Sequence, residues 1–339
     1  MLLSLQYLRG VAALLVVYFH SLTQLKNAGH ENIYLPIIGE SGVDLFFVLS
    51  GFVMWLTTAN KNIGPVEFMV KRVKRIVPIY WILTLVAALL AFLLGDLMKS
   101  TVFDAFHLVK SLFFIPAYNP APAVSGIYPI IIPGWTLNFE FFFYLIFSFS
   151  LTFHVEENRI RLISFIILFC FFFSFYVKSD IAIISFYLNN VIIEFLFGVF
   201  LAVIFLKSDG VKKIEHKFLI VFILISFFAL LYADYIFHSL RSVFLGVPSV
   251  LIIYWLIHYE KSYSVFYSKI LKDIGDSSYS IYLTHIFALA FLRVVFQFNG
   301  VNLYEIDPII FVFISLFLSS ICGLLFYRFI EKPIINFIR

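Results

Sequence analysis

The sequence predicts an all-α integral membrane protein, a bundle of about ten transmembrane helices with both termini in the cytoplasm. Three observations carry that expectation: an extreme apolar composition, ten apolar segments of spanning length, and a one-sided distribution of Lys and Arg. The 339 residues are 62% hydrophobic and 13% charged, with 45 Phe, and the mean hydropathy is +1.01. Soluble domains average about 45–50% apolar and about 25% charged residues. The composition therefore excludes a water-soluble enzyme, a disordered chain or a nucleic-acid-binding module. A net charge of +4 is too small to signal a polyanion partner by itself. Cys170 and Cys322 lie in apolar runs without metal-ligand spacing, so they read as small packing residues, with no disulfide and no metal site.

A spanning helix needs about 20 mostly apolar residues. Such segments occur at about 3–25, 41–59, 77–95, 134–153, 162–177, 183–206, 218–233, 242–258, 277–298 and 308–330. The first lacks a basic flank and carries Arg9 inside its apolar run, so it is expected to be a retained helix with nothing before it rather than a cleaved signal. With the N-terminus inside, seventeen Lys and Arg fall on the cytoplasmic side, among them Lys61, Lys71, Arg72, Lys74, Arg75, Lys212, Lys213 and Arg339. Five fall outside (Lys26, Lys99, Lys110, Lys178 and Arg241), and Arg9 and Arg293 lie within spans. The positive-inside rule then orients both termini to the cytoplasm. No internal repeat or linker appears, so one membrane domain over 1–339 is expected. It includes a basic loop at about 60–76 and an extracytoplasmic loop at about 96–133 punctuated by Pro116, Pro120, Pro122, Pro129 and Pro133.

Ionisable residues inside a membrane helix cost at least about 2.5–3.5 kcal/mol on insertion scales, so each marks a functional hypothesis. Arg9 and His20 are eleven residues apart, which on a helix is three turns plus about 20° and a rise of about 16 Å. They share one face. Asp44, near the start of the second segment, and Glu140, near the start of the fourth, are expected at the depth of His20. A buried imidazole beside a carboxylate is held in one tautomer and becomes a better base, suited to taking a proton from a hydroxyl or amine. The alternative is an inert ion pair that pins helices together. Glu194 and His285 lie deeper, and Arg293 follows His285 by eight residues toward the outside. So many inward polar groups imply a wet cavity.

The stretch from Phe68 to Tyr80 places Lys71, Arg72, Lys74 and Arg75 within five positions at the mouth of the third segment. It can bind anionic lipid headgroups, or hold the phosphates of a cytosolic nucleotide-bearing ligand through forked Arg contacts. There is no Walker loop and no Gly-rich dinucleotide fingerprint.

Taken together, Leu8-Arg9-Gly10 with His20, Gly42-Val43-Asp44-Leu45-Phe46-Phe47-Val48-Leu49-Ser50-Gly51-Phe52, and the Phe68, Arg72, Arg75, Pro78, Tyr80 pattern resemble the acyltransferase 3 family of integral membrane acyltransferases. Trp135-Thr136-Leu137, Glu140, Phe143-Tyr144, Glu194 through Gly198, Gly246-Val247-Pro248, Ser278 through His285 and Glu331-Lys332-Pro333 match as well, so the resemblance runs the length of the chain. It implies a ten-helix enzyme that moves an acyl group, commonly acetyl, from cytosolic acetyl-coenzyme A to a hydroxyl of a lipid-linked or cell-surface glycan such as O-antigen, capsule or exopolysaccharide. On that reading Arg72 and Arg75, with Lys71 and Lys74, hold the coenzyme's phosphates. The pantetheine arm passes Arg9, and His20, oriented by Asp44 or Glu140, is the catalytic base. Trp135, Glu194, Tyr282 and His285 are expected to line the substrate site, and Tyr282, Ser278 or Trp135 to donate to the oxyanion. Thr136 stands where Ser is usual, and Lys74 precedes Arg75. The chain ends eight residues after Glu331, so it is expected to lack the soluble esterase-like domain that some members append. The expected location is the bacterial plasma membrane.

Two mechanisms fit: direct transfer with His20 as base, or a covalent acyl-imidazole on His20. A proton-coupled secondary transporter, with Arg9, His20, Asp44 and Glu140 as relay, is the competing class. It calls for paired broken helices in two related halves, and no such symmetry appears. A purely structural role would leave the intramembrane charges without purpose.

Overall fold

A computed structural model describes residues 2–30, 33–36, 38–59, 61–95, 101–207, 214–236 and 240–338. Lys99, Lys212, Lys213 and Arg339 of the charge distribution, residue 60 and residues 96–100 of the Pro-rich loop lie outside the described residues. The regular structure among the described residues is helical, and the only pairing of extended chain among them is a single antiparallel bridge between Tyr118 and Ile127. In chain order the helices are α1 (Leu3–Asn27), α2 (Gly42–Thr58), α3 (Pro65–Leu93), α4 (Ala105–Leu112), α5 (Trp135–Ser150), α6 (Glu156–Phe173), α7 (Ala182–Tyr187), α8 (Ile193–Lys207), α9 (His216–Ile236), α10 (Arg241–Phe244), α11 (Gly246–Ser262), α12 (Lys269–Asp276), α13 (Ser278–Phe298), α14 (Pro308–Phe326) and α15 (Lys332–Phe337).

Seven helical stretches among the described residues are long and apolar enough to cross a membrane: Leu3–Asn27, Pro65–Leu93, Asn190–Lys207, His216–Ile236, Arg241–Ser262, Ser278–Phe298 and Pro308–Phe337. The other three expected spans correspond to shorter or more charged helices. The α2 helix has 17 residues and α5 has 16, while α6 opens on Glu156, Glu157, Arg159 and Arg161.

The basic stretch differs from expectation. Residues expected as a loop up to about 76 are helical from Pro65, so Lys71, Arg72, Lys74 and Arg75 sit within α3 itself. Lys and Arg are good helix formers, and Pro65 at the first turn is pre-set for helix. Pro78 lies inside the same helix without ending it, as is common in apolar helices whose freed carbonyl finds another donor.

The chain divides into two compact units. The first comprises Met1–Val53 and Phe197–Phe329. Here α1 packs against α11, α12, α13 and α14, α13 runs along α14, and α9 packs on α11. Leu22, Leu25, Leu303, Phe311 and Val312 form one buried cluster, and Ala13, Val17 and Ile281 another. The first turn of α1 is closed by a distant side chain: the Glu260 carboxylate of α11 accepts from Leu3 N at 2.7 Å and Ser4 N at 2.9 Å. These are orphan donors at the positive end of the helix dipole. Backbones approach closely where residues are small. A Cβ on Gly275 would fall on the carbonyl of Gln6, and one on Gly198 on the carbonyl of Val48.

The second unit comprises Met54–Leu196 and Ile330–Arg339. Its centre is α5, packed on α3 and α6, and its cohesion is aromatic. Phe139, Phe142 and Phe143 stack on Phe186, Tyr187 and Phe195 with ring centres 4.4, 4.3 and 4.5 Å apart. The Pro-rich segment holds α4, capped by Asp104, whose side chain accepts from His107 N. After it comes Phe114, in the left-handed region at φ 56°, a conformation that costs about 1–3 kcal/mol for a bulky residue. Its ring is clamped between Tyr80 at 4.8 Å and Phe141 at 4.3 Å.

Candidate active site

The functional side chains gather as separate clusters within each unit. In the first, α1 carries Arg9 and His20, both partly buried. The His20 ring lies 5.1 Å from that of His285 on α13, tilted by 35°, and 5.3 Å from Phe19. His285 is fully buried. Its Nδ1 is 2.7 Å from the carbonyl oxygen of Tyr282, and its Nε2 has no hydrogen-bond partner among the described residues. The Tyr282 ring, 6.1 Å from His285, packs edge-on against Phe46 of α2 at 5.8 Å. The structure thus brings together His20, His285 and Tyr282, three residues from opposite ends of the sequence. The ring neighbour of His20 is an imidazole, where a carboxylate was expected.

Asp44 is also fully buried, and Arg241 of α10 occupies both its oxygens, with Nε at 3.0 Å from Oδ1 and Nη2 at 2.7 Å from Oδ2. The same guanidinium donates to the Glu40 carboxylate and, at 3.0 Å, to the Glu40 carbonyl. Asp234 of α9 accepts from Gly39 N at 2.6 Å and Ser41 N at 3.1 Å, tying down the turn ahead of α2. Sequence reading missed Arg241 and Glu40. By charge alone Arg241 is one of five outside cations. The available signal was a lone Arg just ahead of Gly246-Val247-Pro248, and a second carboxylate one helical turn before Asp44.

In the second unit the four basic residues of α3 part company. Arg72 turns inward, its guanidinium 5.1 Å from the Phe68 ring centre and 6.0 Å from that of Tyr144. Its buried Nε has no partner among the described residues. Aromatic faces attract a guanidinium without filling its hydrogen bonds. The Tyr144 hydroxyl donates to the Glu140 carboxylate, so the ring that faces Arg72 also holds Glu140. Glu140 therefore belongs to the Arg72 cluster. Lys71 pairs at the surface with Glu67, one turn earlier, at 2.6 Å, and Lys74 and Arg75 are exposed. Trp135 packs edge-on against Phe139 at 5.9 Å. Glu194 is fully buried in the first turn of α8. Among the described residues no group of three or more His, Cys, Asp or Glu has the disposition of a metal site.

These geometries provide an imidazole pair and an inward guanidinium with an open donor, which are the parts of a proton transfer and of an anion site. The model of a family described as an acyltransferase domain matches residues 2–328. The chain is 32% identical to the exopolysaccharide production protein ExoZ of Rhizobium meliloti over 300 residues, 88% of this chain and 90% of that protein. It is 31% identical to the acyltransferase MdmB of Streptomyces mycarofaciens over 150 residues, 42% of this chain and 38% of that one. It is 26% identical to the O-acetyltransferase OatA of Staphylococcus aureus over 366 aligned positions that take in 98% of this chain and 57% of OatA. No solved structure matches.

Proposed function

The chain belongs to the acyltransferase domain family, and from that membership we propose that it transfers an acetyl group from cytosolic acetyl-coenzyme A to a hydroxyl of a cell-surface carbohydrate, in the bacterial plasma membrane. The similarity to an exopolysaccharide production protein over most of both chains puts exopolysaccharide first among the acceptors, ahead of O-antigen and capsule. The observation that carries the chemistry is the partly buried His20 imidazole beside a second imidazole on α13.

In the proposed step His20 takes the proton of the acceptor hydroxyl as its oxygen bonds to the acyl carbon. The carbon–sulfur bond of the thioester breaks, and the proton passes to the departing thiolate. A positioned base of this kind contributes about 10²–10⁴ in rate. The buried Ser278 hydroxyl, without a partner among the described residues, and Tyr282 are the α13 donors assigned to the oxyanion. Arg72 and Arg75 hold the coenzyme's phosphates, with Lys71 and Lys74 adding charge at the surface and Arg9 meeting the pantetheine arm. The inward Arg72 supports this role because its Nε–H lacks an acceptor that a phosphate would supply. Trp135 and Glu194 remain assigned to the acceptor.

The test is acetyl-coenzyme A binding and acetyl transfer by the purified, detergent-solubilised protein. His20→Ala should abolish transfer while binding stays saturable, and wild-type transfer in that variant overturns the base assignment. Arg72→Ala combined with Arg75→Ala should raise KM for the coenzyme far more than KM for the glycan. An equal rise in both makes the basic patch a lipid anchor instead.

A further inference from the structure

We propose that His285 is the positioning residue for His20: its Nε2 accepts a hydrogen bond from His20, selects the His20 tautomer and steadies the imidazolium that forms during transfer. The inference rests on the reading of His20 as base. It replaces the expectation that a carboxylate does this work.

Three observations carry it. The first concerns the proton on His285. Its Nδ1 lies 2.7 Å from the Tyr282 carbonyl, and a carbonyl oxygen can only accept, so Nδ1 carries the hydrogen and the neutral ring keeps its lone pair on Nε2. The second is that this lone pair is idle: Nε2 is buried and has no hydrogen-bond partner among the described residues, an uncommon state for a buried acceptor. The third is its neighbour. The ring centres of His20 and His285 are 5.1 Å apart with a tilt of 35°, close to the separation of two imidazoles joined edge to edge by one hydrogen bond. The bond forms when a ring nitrogen of His20 faces that lone pair. The carboxylate first expected here, Asp44, is held at both oxygens by Arg241.

The proton account is simple. With one ring N–H of His20 donated to His285, the other nitrogen presents its lone pair to the acceptor hydroxyl. That nitrogen gains the hydroxyl proton as the carbon–oxygen bond forms, and gives it to the thiolate as the carbon–sulfur bond breaks. His285 keeps its own proton on Nδ1 throughout, and no further reactant is needed.

The experiment compares His285→Leu, which removes the acceptor, with His285→Gln, whose amide oxygen reaches the position of Nε2. His20→Ala and wild type are run beside them, with folded protein measured by monodispersity in detergent. The Leu variant should lose about 10²–10⁴ in kcat with KM for acetyl-coenzyme A and for glycan near wild type. The Gln variant should recover most of that loss. Equal turnover in the Leu and Gln variants, at whatever level, overturns the proposal, as does a raised KM with unchanged kcat. An active His20→Ala variant sinks the base reading itself. An inactive His20→Ala beside a fully active His285→Leu sinks only this inference.

Discussion

Asp44 has no exposed surface, and the guanidinium that neutralises it comes from a residue 197 positions later. Such a pair contributes little net stability as a pair, but removing one partner strands a buried charge and costs about 3–5 kcal/mol. Arg241→Ala is therefore expected to lower the thermal midpoint in detergent and the amount of folded protein, and the joint replacement of Arg241 and Asp44 by neutral residues of similar size should restore much of the loss. Single variants with wild-type midpoints would show that the pair is not structural. At this scale the residue types were legible: an Arg, a His and two carboxylates placed in apolar runs announce themselves by their cost. Their partners were not. Helical spacing relates His20 to Arg9, but no spacing relates His20 to His285 or Asp44 to Arg241, because those contacts are made by packing between distant segments.

The helices themselves are decided by apolar content, and their closeness by small residues. At Gly275 an added Cβ would collide with the backbone of Gln6, whereas at Gly64 nothing lies within 4 Å. Gly275→Ala should destabilise by about 1–3 kcal/mol, the usual penalty of overpacking, while Gly64→Ala should stay within about 0.5 kcal/mol. Thermal unfolding of the two purified variants checks this, and equal midpoints would refute close α1–α12 packing as the cause. Hydropathy made most helices readable in advance. It does not reach the start of α3, where four cations in five positions dilute the apolar run. Their long stems allow charged heads to reach water from a helix, and so the basic residues could be helical and Arg72 alone could turn inward. The separation of Arg72 from its exposed neighbours is a three-dimensional fact that a charge count merges.

Across the whole molecule, orientation is an argument from charge: seventeen Lys and Arg assigned to one side and five to the other. A fluorescent protein fused to the C-terminus is expected to fluoresce and alkaline phosphatase fused there to be inactive, both reporting a cytoplasmic end. The reverse pattern would overturn the topology and with it the cytosolic approach of the coenzyme. The number of spans was the less legible quantity, since α2 and α5, at 17 and 16 residues, stop short of the usual length, and the charged first turn of α6 dilutes its apolar run. A hydropathy window sees the character of residues and not where a helix starts. The Glu260 clasp on the first turn of α1 adds a matter of timing. Its acceptor lies 256 residues downstream of Ser4, so at about 5–20 residues per second the ribosome delivers it roughly 10–50 s after the helix it closes. His285 follows later still. The helix that carries His20 is thus finished only once α11 has been made, and a chain interrupted before α11 holds it with an open end and no second imidazole.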